Sequence, residues 1–360
     1  MQAEPIRCDI FCRVVDNYGD AAVCWRLARE LAREHRWAVR LWIDDAAPLT
    51  RLAPDFRAGP VAVKAWPEAG AAAPALVVIE AFACELPASY VEAMAREARS
   101  PVWINLEYLS AEDWIDGCHA LPSPHPRLPL TKHFFFPGFS AASGGLPREA
   151  DYAERRAGFS AQDLRTEFGV PETEPECTTI SLFSYPNPQL PTLIEQWANS
   201  PSPILLLRPG FDGSASRAGN LTMLPLPFLP QARYDELLWF CDLNFVRGED
   251  SFVRAQLAAK PLIWHIYPQD ADTHQIKLEA FLARYARDAK VSPGGTASDK
   301  AVSAFTAFTR AWNGAGQLDW RIFADHLPAL TKTAQVWASH LAELPDLANN
   351  LAEFCRQKLK

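Results

Sequence analysis

The feature that most constrains the fold is a rhythm that runs twice along the chain: a short apolar run, a turn rich in Gly, Asp or Pro, then apolar residues at helical spacing. Residues 8–15 form the first run, which breaks at Asp16-Asn17-Tyr18-Gly19-Asp20. Residues 21–33 follow, with Val23, Leu27 and Leu31 at every fourth position, which predicts a helix. A second strand is expected over 37–43, ending in a loop with Asp44 and Asp45. Further strands are expected over 61–65, 75–79 and 102–106, and a helix over 87–99. Strands that alternate with helices specify parallel βαβ units with helices on both faces of the sheet, an α/β fold.

The rhythm stops at Leu121. Pro122-Ser123-Pro124-His125-Pro126 cannot be helical, because each proline lacks a donor and restricts the residue before it. A last strand is expected within 132–139, then a flexible piece at Ser143-Gly144-Gly145, a boundary near 145–165 and a connecting helix over 161–168. The pattern restarts with strands over 178–184, 204–207, 221–224 and 261–267 and helices over 190–198, 234–240 and 273–285; the remainder, from 300, reads as helical. A chain of 360 residues exceeds one typical core, so two domains are predicted, 1–150 and 165–330, with a C-terminal helix over about 335–360 packing back on the first.

Within the second half, residues 242–257 carry the most chemical information. Leu243, Phe245 and Val246 read as a buried strand, Gly248 as a tight turn, and Glu249-Asp250-Ser251 as a helix start. Such a turn aims free amides and the positive end of a helix dipole at one point, which suits a phosphate. On this stretch alone, an ordinary capped helix of an α/β domain is the better reading.

Composition narrows the partners. Lys+Arg 35 against Asp+Glu 43 gives a net charge of -8, which argues against a general nucleic-acid surface and would suit a basic protein partner. No run of 18 or more apolar residues predicts a membrane span, and the N-terminus does not read as a signal peptide. The eight cysteines are scattered without C-x-x-C or Cys/His ligand spacing, the usage of a reducing cytoplasm.

Four constellations could carry chemistry. In Asp16-Asn17-Tyr18-Gly19-Asp20, Gly19 frees the backbone to turn and Asp20 is placed to cap the following helix; a carboxylate there can also accept a proton, although spacing alone favours the cap. In Phe183-Ser184-Tyr185-Pro186-Asn187, an aromatic held by the following proline would wall a ligand ring, or belong to the core. Pro227-Phe228-Leu229-Pro230-Gln231 is a proline-framed loop that would suit a flat base, or serve structure alone. Trp264-His265-Ile266-Tyr267-Pro268-Gln269-Asp270 ends a strand with a polar tail suited to a sugar or phosphate, and His265 reads as a buried, hydrogen-bonded histidine. The pair Asp44-Asp45 reads as a solvated loop rather than a metal site. No dinucleotide fingerprint, phosphate loop, nucleophile elbow or zincin helix is present in the sequence.

Taken together, Asp9-Ile10-Phe11-Cys12 with Asp16-Asn17-Tyr18-Gly19-Asp20, Asn105-Leu106-Glu107-Tyr108-Leu109-Ser110, Ser184-Tyr185-Pro186-Asn187, Arg247-Gly248-Glu249-Asp250-Ser251 and Trp264-His265-Ile266-Tyr267-Pro268-Gln269-Asp270 resemble one family: the bacterial protein-arginine rhamnosyltransferases that modify elongation factor P. The resemblance spans most of the chain, with no motif beyond about residue 290. It implies a GT-B glycosyltransferase, two Rossmann-like domains facing across a cleft, the first binding the acceptor protein and the second the nucleotide-sugar. It implies a cytoplasmic, inverting enzyme without metal or cofactor that takes rhamnose from dTDP-β-L-rhamnose to an arginine of elongation factor P. It further implies Asp20 as general base, supported by Asp16, with Glu249 as a third catalytic carboxylate. Asn17, Tyr18, Gly19, Phe183, Tyr185, Phe228, Gln231, Arg247, Asp250, Ser251 and Tyr267 would bind substrate. A glycosyltransferase with another donor or acceptor, or a non-catalytic nucleotide-sugar or protein-binding module, is the alternative reading.

Overall fold

A computed structural model of the chain describes residues 4–16, 18–268, 273–291 (backbone only at 289–291) and 299–360. Two compact units divide it, one of Met1–Tyr152 with Leu344–Lys360 and one of Ala153–Glu343.

The first unit is built on a seven-stranded sheet of β1 (Arg7–Cys12), β2 (Ala38–Ile43), β3 (Ala62–Ala65), β4 (Val77–Ala81), β5 (Val102–Leu106), β6 (Pro122–Pro124) and β7 (Thr131–Phe135), in the order β3-β2-β1-β4-β5-β7-β6. All pairings are parallel except β6 with β7. Cys8 through Cys12 are fully buried, as a central parallel strand covered on both faces requires. That burial includes Asp9, so its charge needs partners. Arg40, its register partner on β2, supplies two bonds of 2.6 Å to the two carboxylate oxygens, and Tyr90 and the Ala75 amide supply the others. The strand order reverses direction between β1 and β4, so the chain diverges on either side of their C-terminal ends, where open α/β sheets build their sites.

The second unit repeats this plan in a six-stranded sheet of β8 (Thr178–Leu182), β9 (Ile204–Pro209), β10 (Ser216–Ala218), β11 (Leu221–Leu226), β12 (Leu243–Arg247) and β13 (Leu262–His265), ordered β10-β11-β9-β8-β12-β13. Here the reversal lies between β8 and β12, which Ser181 and Asn244 join through a 2.6 Å side-chain bond. Phe245 of β12 packs edge-on against Trp197 and Trp312, and Phe308 continues this aromatic core to Trp320 and Phe323.

Several elements differ from the sequence expectations. Pro122–Pro124, expected as irregular, forms the outermost strand, where a missing donor faces away from the ladder. The exposed hairpin strand Ser216–Ala218 leaves no mark in the sequence, because Ser216, Arg217 and Ala218 form neither an apolar run nor an alternating one. The second unit begins at Ala153, within the boundary expected at 145–165, and the segment before 165 already belongs to it, since Arg155 pairs with Asp235 of the helix Gln231–Phe240. The helix expected over 335–360 is two helices. Leu327–Glu343 belongs to the second unit, and Leu347–Lys358 to the first, starting at Asp346, whose carboxylate accepts the Asn349 amide at 2.8 Å. All eight cysteines are free thiols, and no helix among the described residues is long and apolar enough to cross a membrane.

Candidate active site

The chain leaves β1 and enters helix α1 (Gly19–Arg33) through the segment that holds Asp16 and Asp20. Asp20 does not cap that helix. Tyr18 occupies the N-cap position and Asp20 lies inside the first turn, 2% exposed. Its Oδ2 instead accepts the backbone amides of Val15 at 2.8 Å and Asp16 at 2.9 Å, folding the incoming loop back over the helix start. The hydroxyl of Tyr108, on the segment after β5, donates to Oδ1 at 3.3 Å. Two amides, one phenol and the first turn of a helix therefore surround this one carboxylate.

Asp16 is half-buried beside it. The Gly19 amide donates to the Asp16 carbonyl at 2.6 Å, and a Cβ at position 19 would lie 2.6 Å from Asp16 Oδ2. A side chain there would push the Asp16 carboxylate off the place it holds over this turn. Tyr18 accepts a bond from Arg51 at 3.0 Å. Asn17 lies outside the described residues. Asp44 and Asp45 each turn one oxygen to the local backbone, Asp44 Oδ1 accepting the amides of Val14 and Asp45 and Asp45 Oδ1 that of Ala47. Among the described residues, no group of three or more His, Cys, Asp or Glu is placed to hold a metal.

The corresponding strand ends of the second unit hold the other residues. Arg247, the last residue of β12, lays its guanidinium over the rings of Phe183 (4.3 Å) and Tyr185 (4.7 Å), both just after β8. Tyr267 meets Tyr185 edge-on at 5.4 Å and is 38% exposed, so one side of this aromatic group faces solvent. Rings on both contacts hold the cation without neutralising it. Gly248 then takes φ 57, the left-handed turn that lets the chain start the helix Asp250–Leu257, and its carbonyl accepts the Trp264 indole at 2.8 Å. Glu249 is the N-cap residue, with no side-chain cap bond. Ser251 exchanges bonds with the Arg247 backbone, its Oγ accepting the amide at 3.0 Å and its hydroxyl donating to the carbonyl. Gln231 donates to buried Asp250 at 3.3 Å. Phe228 comes from the loop after β11 and faces Gly210, where φ is 71 and a Cβ would come within 3.3 Å of the ring.

His265 is buried against Tyr185 and Trp312, and its Nδ1 makes no hydrogen bond to a described residue, so the expected hydrogen-bonded histidine is only half realised. Burial, and then the neighbouring Arg247 charge, push its pKa down to about 4, which keeps the ring neutral near pH 7. Gln269 and Asp270, which close that motif, lie outside the described residues. Sequence reading missed two participants. Tyr108 sits within a quoted motif but had no role, because only the fold brings the end of β5 beside the loop after β1. Gly210 is one glycine in a Pro-Gly turn, and nothing local points from it to Phe228.

Comparison with known proteins follows the same lines. The family model described as Elongation-Factor P (EF-P) rhamnosyltransferase EarP matches residues 8–356. Proteins named protein-arginine rhamnosyltransferase from Pseudomonas putida and Pseudomonas aeruginosa are 47% and 48% identical to this chain, covering 98% and 96% of it and 99% and 98% of their own lengths. A solved structure described as the structural basis for EarP-mediated arginine glycosylation of translation elongation factor EF-P is similar with a TM-score of 0.67 at 36% identity, over 98% of this chain and 99% of that one. MurG from Acinetobacter baumannii, with a TM-score of 0.53 at 11% identity over 98% of this chain and 100% of its own, shares the fold alone, which is the GT-B type. A family match over nearly the full length, carried on two Rossmann-like sheets, settles the assignment: the chain belongs to the EF-P rhamnosyltransferases, the EarP family.

Proposed function

We propose that this chain transfers L-rhamnose from dTDP-β-L-rhamnose to an arginine side chain of elongation factor P, in one displacement that inverts the anomeric centre. The observation that carries the proposal is Asp20, a buried carboxylate at the point where the strand order of the first sheet reverses, held by two amides in a chain that matches the family from residue 8 to 356.

The acceptor guanidinium is cationic near pH 7 and a poor nucleophile. Asp20 pairs with it, and Asp16 adds a second negative charge. As the guanidinium nitrogen bonds to C1 of rhamnose, the bond from C1 to the diphosphate oxygen breaks, its electron pair stays on that oxygen, and a proton from the attacking nitrogen passes to Asp20. Tyr18 and Gly19 line the acceptor side, and Asn17 is assigned to acceptor binding by its place in the motif alone. The donor belongs to the second unit. Arg247 and the amides at Asp250 and Ser251 take up the charge on the leaving diphosphate, which needs no metal or cofactor in this reading. Phe228, framed by Gly210 and followed by Gln231, stacks the thymine, Phe183, Tyr185 and Tyr267 wall the sugar and phosphate, and Glu249 accepts hydroxyls of the rhamnose.

The test is to incubate the protein with elongation factor P and, separately, dTDP-β-L-rhamnose, dTDP-glucose and UDP-glucose, with and without a chelator, and to weigh the factor. A gain of one deoxyhexose with the first donor only, unaffected by the chelator, is expected. Transfer from another donor would reassign the sugar, chelator sensitivity would return a metal to the site, and no transfer from any donor with intact donor binding would favour a binding module.

A further inference from the structure

The turn after β4 holds three non-glycine residues in left-handed conformations within four positions, Phe82 at φ 56, Ala83 at φ 52 and Glu85 at φ 52. Such conformations persist only where the surroundings over-determine them. Here the anchors are identifiable. The Phe82 amide donates to the Leu106 carbonyl at 2.7 Å, the Cys84 thiol to the Phe11 carbonyl at 3.4 Å, and the Glu85 amide to Glu80 at 3.3 Å. Glu80 is itself buried on β4, where the Trp103 indole and the Lys132 ammonium each donate to its other oxygen at 3.1 Å. A buried acid with three donors therefore fixes the turn.

What the turn delivers is one ring. Phe82 lies parallel to Tyr108, with ring centroids 4.3 Å apart and planes 13° apart, and the Tyr108 hydroxyl donates to Oδ1 of Asp20. Since Oδ2 is occupied by the amides of Val15 and Asp16, Oδ1 is the oxygen available to an acceptor, and the phenol sets the direction of its free lone pair.

We propose that Tyr108 is a positioning residue for Asp20 and that the strained turn 82–85 exists to lock Tyr108 by stacking Phe82 beneath it. The proposal rests on the reading of Asp20 as general base. Ring stacking removes the rotational freedom of the phenol, so the carboxylate keeps one orientation between turnovers, and a small misorientation of a base is costly because proton transfer demands hydrogen-bond geometry.

Tyr108→Phe keeps the stacked ring and removes only the hydroxyl; Phe82→Leu keeps an apolar side chain and removes the stack. For Tyr108→Phe we expect kcat to fall about tenfold, the loss of one hydrogen bond to a charged group, with KM for elongation factor P, donor affinity and Tm nearly unchanged. Phe82→Leu lowers kcat in the same way, and the double variant is no slower than the slower single one, because both act through the same hydroxyl. In an Asp20→Asn background Tyr108→Phe has no further effect. Wild-type kcat in Tyr108→Phe, or losses that multiply in the double variant, would overturn the proposal while leaving the base assignment intact. An Asp20→Asn protein with wild-type activity would instead remove the base assignment, whatever Tyr108→Phe does. Should Phe82→Leu fail to fold, Tyr108→Phe in the two backgrounds still decides.

Discussion

Asp20→Asn separates the two roles a carboxylate at this position can play. The structure makes the substitution unusually clean. The asparagine carboxamide oxygen can take the place of Oδ2 and accept both the Val15 and the Asp16 amide, now 2.8 and 2.9 Å from it, while the amide nitrogen takes the place of Oδ1 and donates to the Tyr108 hydroxyl. Exchanging charge-assisted bonds for neutral ones costs about 1 kcal/mol, roughly a 2–4 °C shift in Tm. Loss of the general base costs far more, about 10²–10⁴ in rate, or about 3–5 kcal/mol of barrier. Three measurements settle it: Tm by calorimetry, donor affinity by titration calorimetry, and the initial rate of mass gain of elongation factor P. The expected variant is folded, binds donor as the wild type does, and scarcely transfers. A folded, donor-binding variant with a near wild-type rate would remove the general-base role and leave Asp20 as a loop anchor.

Phe228→Ala should weaken donor binding by about 1–3 kcal/mol, the usual worth of one aromatic–base stack, with Tm little changed; unchanged calorimetric affinity would move the base elsewhere. Arg247→Gln removes the cation held over Phe183 and Tyr185, and donor affinity should drop about tenfold or more and lose part of its salt dependence, whereas equal affinity at every salt concentration would take Arg247 out of the diphosphate site. Glu30 of α1 is 6% exposed, and burial, then the charge of Glu149, push its pKa from 4.5 up to about 7. The folded state binds this proton more tightly than the unfolded chain, so the stability it contributes is full below about pH 4.5 and lost as pH rises through about 7, a difference of about 3 kcal/mol. Glu30→Gln should therefore raise Tm at pH 8 and change it little at pH 4; an equal shift at both would show that the carboxyl titrates normally.

The sequence made the α/β alternation legible because parallel strands buried on both faces are mostly apolar, as at residues 8–12 and 243–246, where Asp9 and Asn244 alone interrupt the run, and because α1 repeats its apolar residues every fourth position. Elements held by other parts of the fold left weaker marks. Ser216–Ala218 is a strand only through its partner β11, and the break at Pro345 divides a run that periodicity alone makes continuous. At the site, the motif residues were visible as strand-end turns, and their resemblance to a family supplied roles. The partners of Asp20 were not visible, since the cap reading follows from local spacing whereas the real acceptor geometry depends on the amides of Val15 and Asp16 and on Tyr108, which stands 88 positions away. The aromatic seat of Arg247 is hidden for the same reason, as Phe183 and Tyr185 reach it only through the pairing of β8 with β12.

The proposed reaction is a single displacement at the anomeric carbon by an arginine nitrogen. The most direct measurement is the one-bond carbon–proton coupling at that carbon, read by NMR on elongation factor P after incubation with the protein and dTDP-β-L-rhamnose labelled with carbon-13. An α-configured rhamnose joined to an arginine nitrogen is predicted; a β-configured product, or a factor that carries no sugar, would contradict it.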